Sequence, residues 1–163
     1  MGGIILTSPG YLELLRSNKT FARLWGSNMV LYIGDWFTVL AMFLLAGDAT
    51  DNSPLAIAGV LAVRSFTFAP LEPITGMLAD RYPRKYLMII ANLFSFVILI
   101  SFILTGILDN LFSIYALTVL LVVGRAIYDP AGTAYLPTIC SEEELLTANA
   151  LISGGWSASM GIG

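Results

Sequence analysis

Long apolar stretches alternate with short polar breaks along this chain. The cleanest stretch, residues 86–108, carries no charge at all. At a rise of about 1.5 Å per residue it is long enough to cross a bilayer core of about 30 Å. Three other stretches hold isolated charges. Asp35 interrupts residues 24–47, Arg64 and Glu72 interrupt 54–79, and Arg125 and Asp129 interrupt 111–136. A fifth stretch begins near Glu142 and runs to Gly163. The pattern predicts membrane-spanning helices at about 24–47, 54–79, 86–108, 111–136 and 142–163, the last cut short, behind an N-terminal segment 1–20.

The breaks carry helix punctuation. Ser53-Pro54 reads as an N-cap followed by proline at the first helical position. Ser141 followed by Glu142, Glu143 and Glu144 reads as a capping box, with acids where the helix dipole favours them. Asp109-Asn110 is a short turn. Residues 9–20, PGYLELLRSNKT, fit a short amphipathic segment resting Tyr11, Leu12 and Leu15 on lipid headgroups beside Arg16 and Lys19, or else a disordered tail.

Composition agrees with the pattern. Of 163 residues, 57% are hydrophobic and 12% charged, and the mean hydropathy is +0.82. A water-soluble domain carries roughly a quarter charged residues, so the expected class is an all-α integral membrane protein. No basic nucleic-acid surface is present, so no nucleic-acid partner is expected. The chain has no histidine and one cysteine, Cys140. Most metal and nucleophile schemes therefore fall away, which disfavours a membrane-embedded enzyme, and no cofactor or metal is expected. The residues before Asn18 do not form a cleavable signal, because the basic residues follow the short apolar start.

Lysine and arginine set the expected orientation. Arg16, Lys19 and Arg23 precede the first span, and Arg81, Arg84 and Lys85 lie between the second and third. The intervening breaks, GDATDNS and LDN, have none. The positive-inside rule then places the N-terminus and the 80–86 loop in the cytoplasm of a multi-pass cell-membrane protein. Asn18-Lys19-Thr20 matches a glycosylation acceptor, which that placement leaves idle. Asp80 stands apart from the topology signal. An acid at the C-terminal end of a helix faces the negative end of its dipole and wants a cation, or another helix's N-terminus, nearby.

The run Gly76-Met77-Leu78-Ala79-Asp80-Arg81-Tyr82-Pro83-Arg84-Lys85 resembles the loop signature between helices two and three of the major facilitator superfamily, G-x-L-a-D-r-x-G-r-k. Pro83 stands where the family has glycine. Asn18, Phe21, Leu24-Trp25 and Gly34-Asp35-Trp36 resemble the opening of the drug-exporter-like branch, with its macrolide-efflux and siderophore-export members. Arg125, Asp129-Pro130-Ala131, Ala134-Tyr135-Leu136-Pro137 and the run LLTANAL at 145–151 fit the same branch. The resemblance implies the N-terminal part of a larger helical bundle, with four spans and the start of a fifth. A C-terminal half of the same transporter would then be a missing partner. It also implies that Arg84 meets Asp129, that Asp80 caps helix eleven in the outward-facing state, and that Arg125 serves proton coupling.

A charge at mid-membrane costs roughly 2.5 to 3.5 kcal/mol, so each such residue needs a partner or a wet cavity. Asp35 reads either as a proton or cation site or as a structural ion pair. Arg64 and Glu72 lie about 80° apart around one helix and roughly 12 Å along it, too far for simple pairing. Arg64 leans to structure. Glu72, between Pro70 and Pro73, is either a proton carrier or an acid stabilising a bend. Arg125 and Asp129, spaced i,i+4, read as an intrahelical pair that Pro130 is expected to loosen. Gly155, Ser159 and Gly163 form a small-residue stripe for close helix approach. Tyr32 and Trp36 serve either an aromatic substrate or packing.

The resulting expectation is a secondary transporter exporting a small amphipathic molecule by alternating access, coupled to protons. Asp35, Glu72, Arg125 and Arg64 are the candidate path residues. Gly76, Asp80, Arg81, Arg84, Lys85 and Asp129 form the gating motif. The alternatives are a truncated membrane protein that transports nothing, or a family member that imports or flips another substrate such as a lysolipid.

Overall fold

A computed structural model of the chain describes residues 9–161. Gly163, at the end of the small-residue stripe, lies outside the described residues, as does the end of the predicted 142–163 span. Six helices follow one another: α1 (Tyr11–Ser17), α2 (Lys19–Asp48), α3 (Pro54–Arg81), α4 (Arg84–Thr105), α5 (Leu111–Ile139) and α6 (Glu142–Met160). No strand occurs among the described residues. By length and composition α2, α3, α4 and α5 are each able to cross a membrane. Large apolar side chains are widely exposed, Leu55 and Phe112 at 83% and Phe66 at 81% among them. In water that surface would drive aggregation, whereas in lipid it is the expected exterior.

The helix ends follow local chemistry. Asn18 Oδ1 accepts from the Phe21 N–H at 3.0 Å, so α2 starts well before the apolar run at 24. Ser53 and Pro54 take the N-cap and first helical positions of α3 as expected, but the Ser53 side chain makes no cap hydrogen bond. Gly106, at φ 62°, closes α4 at Thr105, short of the apolar run's end at 108. Asn110 Oδ1 accepts from the Ser113 N–H at 3.0 Å and starts α5. The Ser141 N–H donates to Glu144 Oε2 at 3.0 Å, the acidic arm of the capping box.

The chain divides into two compact units, one of Met1–Phe37 with Tyr135–Gly163, the other of Thr38–Ala134. In the first, Leu14, Phe21, Leu136, Cys140 and Ala148 form the core. The Trp25 indole donates to the Leu151 carbonyl at 3.1 Å, and Trp36 and Trp156 sit with ring centroids 6.1 Å apart. Gly155 and Ser159 are buried, and a Cβ on Gly155 would run into the Met29 thioether, its Sδ 2.7 Å away. In the second unit the core is Met42, Ala46, Val60, Ile114 and Leu117. There Gly124 on α5 approaches α4 so closely that a Cβ would lie 3.3 Å from the Ala91 carbonyl and clash with the Ser95 hydroxyl.

Two helices run on through prolines. α3 contains Pro70 and Pro73, and α5 is helical through Pro130. The Thr75 hydroxyl donates back to the Leu71 carbonyl at 3.0 Å, and the Thr133 hydroxyl to the Asp129 carbonyl at 3.0 Å. Both are ordinary back-bonds one turn along the helix; the carbonyls that lose an N–H partner to Pro70, Pro73 and Pro130 are those of Phe66, Ala69 and Ala126.

A candidate gate and proton-binding groove

The second unit holds a cavity of about 450 Å³ between α3 and α5. Its α3 wall is Phe68, Glu72, Gly76, Ala79 and Asp80, and its α5 wall is Asp129, Pro130, Thr133 and Ala134. On α3, Glu72, Gly76 and Asp80 recur every fourth residue, so a single helical stripe presents two carboxylates and a glycine. A Cβ added to Gly76 would meet nothing within 4 Å, so this wall stands open to a further backbone. Three carboxylates face one groove whose lining contains no cation.

Each acid is held differently. Asp129 Oδ2 accepts from Arg125 Nε at 2.9 Å, and the side chains keep 36% and 17% of their surface. The Arg125 guanidinium also stands 5.9 Å from the Tyr128 ring centroid. The loosening expected from Pro130 is therefore corrected. Proline's bias on the residue before it is weaker than the ladder of a long helix, and Asp129 stays helical. Glu72 and Asp80 are exposed, and neither carboxylate has a hydrogen bond or ion pair among the described residues.

Tyr82 and Pro83 alone separate α3 from α4. Tyr82 is extended at φ −116°, ψ 154°, as a residue before proline prefers, and its N–H donates to the Leu78 carbonyl at 3.1 Å. Arg81 and Lys85 point to solvent, while Arg84 is half-buried. Arg84 Nη1 donates to the Ala134 carbonyl at 2.7 Å. The expected meeting of Arg84 with Asp129 is thus replaced by a main-chain contact further along α5. Pro137 lacks the N–H that would serve the Thr133 carbonyl, so α5 is weakly laddered beside Ala134.

Arg64 lies half-buried on α3 one turn before Phe68, is not itself a lining residue of the groove, and has a partner. Asp35, which also has a partner, belongs to the first unit. The structure therefore gathers Glu72, Gly76, Asp80 and Asp129 around one groove, with Arg84 tying its end. Sequence reasoning missed Asn18 as a joint. Besides capping α2, its Nδ2 donates to the Ile139 carbonyl at 2.7 Å and to Glu144 Oε2 at 3.2 Å. An asparagine just before a long apolar run was the available cap signal, but its long-range partners leave no trace in spacing.

A family model described as Major Facilitator Superfamily matches residues 24–163. Over 80 residues the chain is 31% identical to an uncharacterized MFS-type transporter of Bacillus subtilis (strain 168), a stretch covering 49% of this chain and 19% of that protein. The match thus spans about a fifth of the length of that relative. No solved structure matches the chain.

Proposed function

The chain belongs to the Major Facilitator Superfamily, and on that footing we propose that it supplies the N-terminal helices of a proton-coupled exporter of a small amphipathic molecule. In this reading the bundle rocks around a midplane site to alternate access. The observation that carries it is the α3–α5 groove, where Glu72, Asp80 and Asp129 line one cavity and Gly76 leaves its wall open. A groove of that shape and charge suits a gate: a helix N-terminus, positive by its dipole, seats against Asp80 when the inner side closes. Arg84 holds the groove's end to α5, while Arg81 and Lys85 keep the turn at the cytoplasmic surface. Glu72 and Asp35 are the proton-binding candidates, and Arg125, paired with Asp129, serves proton coupling. Arg64 holds α3 in place. The rest of the transporter, the bilayer, protons and the exported molecule are the partners. The drug-exporter-like branch remains the closest description of the chain's motifs.

The test is substrate-driven proton movement in liposomes, with the complete gene product and a panel of amphipathic compounds. Coupled flux that falls in Asp35→Asn supports antiport with Asp35 on the path. Undiminished flux returns Asp35 to a structural role and shifts the proton to Glu72. No flux with any compound removes the efflux reading and leaves the family assignment standing.

A further inference from the structure

We infer that the outward face of α1, together with the cations at the start of α2, is a seat for the anionic surface of a phospholipid membrane. The reading needs a membrane protein but not the transport reaction above.

A seven-residue helix such as α1 does not stand alone in water. It stands here because it is tied at several points. Leu14 is fully buried in the first unit's core. The Thr147 hydroxyl donates to the Pro9 carbonyl at 2.8 Å. Asn18, directly after α1, donates to Ile139 and Glu144. The segment is thus an ordered platform rather than a tail, and no ordering cost remains for a ligand to offset.

At about 100° per residue, α1 sorts its side chains cleanly. Leu14 marks the protein side. Tyr11, Leu15 and Leu12 follow around one flank, then Arg16, with Glu13 and Ser17 on the remaining flank. Tyr11 is 58% exposed and Leu12 70%. An apolar flank bordered by arginine is the pattern of a helix lying in the headgroup layer, its cation at the phosphates. Lys19 and Arg23, one turn apart on α2, stand exposed where that helix begins its apolar run.

Charge selects the kind of lipid. Arg16, Lys19 and Arg23 have no ion pair among the described residues. The acids nearby are otherwise engaged or placed. Glu13 accepts from the Gly10 N–H at 3.3 Å, and Glu144 accepts from Asn18 and Ser141. Glu142 and Glu143 lie in the first turn of α6, where the helix dipole offsets their charge. Three exposed cations beside an apolar flank fit phosphatidylglycerol better than a zwitterionic lipid, roughly fivefold per cation fully engaged.

The test uses the 163-residue chain in vesicles of phosphatidylcholine mixed with phosphatidylglycerol. A fluorophore is placed on Leu12→Cys in a Cys140→Ser background. Headgroup spin-labelled phosphatidylglycerol or phosphatidylcholine then serves as quencher. The expected result is stronger quenching by spin-labelled phosphatidylglycerol, falling to parity when Arg16, Lys19 and Arg23 are all changed to Gln. Arg16→Gln alone, which leaves Leu14 docked, gives a partial loss and guards against a misfolded triple variant. Equal quenching by the two lipids in the unmutated background overturns the inference. So does quenching of the label by aqueous iodide that is independent of lipid, or a phosphatidylglycerol preference that survives in both charge variants.

Discussion

Arg84 Nη1 donates to the main-chain carbonyl of Ala134 at 2.7 Å, a contact fifty residues long in sequence. It ties the turn between α3 and α4 to α5 at the end of the acidic groove. A charged donor on a carbonyl is insensitive to which side chain α5 carries there, so the tie is to the helix backbone itself. Replacing Arg84 with Gln removes the charge assistance and is expected to cost about 1.5–3 kcal/mol of stability. Arg84→Lys, with its point charge and shorter reach, should lose less. Unfolding titrations in mixed micelles measure both, and identical losses for Gln and Lys would mean that the guanidinium's reach, not its charge, makes the tie.

The Arg125–Asp129 pair makes a prediction about neutralisation. Asp129→Asn takes that carboxylate from a cation within an apolar helix, and Arg125→Gln takes the cation from the acid. Each single change is expected to destabilise the chain by about 1–3 kcal/mol, the partial exposure of both groups moderating the cost. The double variant should lie closer to wild type than either single one. A double-mutant cycle in micelles reads the coupling directly.

Gly155 bears on the packing of α6 against α2. Its missing Cβ makes room for the Met29 thioether. Alanine should be tolerated, because Met29 is flexible and swings aside. Gly155→Val should cost roughly 1–3 kcal/mol by overpacking. Adding Met29→Ala to that variant should restore much of the loss, since the clash is with that one side chain. Melting temperatures of the three variants decide it.

Cys140, just beyond the end of α5, has its thiol pushed from 9.0 up to about 11, by burial first and by the Glu144 carboxylate second. Only the thiolate reacts with maleimides, so alkylation of the folded chain should be slow at pH 8, roughly a hundredfold slower than in the unfolded chain. The sign for stability follows. The folded thiol holds its proton longer than the unfolded one, so its contribution is intact below pH 9 and is lost as pH rises from 9 through 11. Glu144→Gln removes one of the two causes and should speed alkylation at fixed pH. A rate unchanged by that substitution would leave burial as the whole cause.

Much of the architecture was legible in the sequence. Apolar run lengths identify the spans, because a bilayer demands about twenty predominantly apolar residues and an internally bonded backbone. Ser53-Pro54, Ser141 with Glu144, and the Tyr82-Pro83 turn were readable for a similar reason: caps and proline restraints act over one helical turn. The i,i+4 pairing of Arg125 with Asp129 is equally local, and the helix held it despite Pro130.

What only the tertiary structure decided are contacts between residues far apart in the chain. Arg84 reaches Ala134 rather than Asp129, and Asn18 joins the start of α2 to Ile139 and Glu144. Glu72, Gly76 and Asp80 line a shared groove with Asp129, and Leu14 turns a short amphipathic segment into a docked helix. Spacing along a helix fixes which residues share its face, but not which face of another helix it meets. That choice depends on the fit of side chains such as Met29 over Gly155, and no local pattern encodes it.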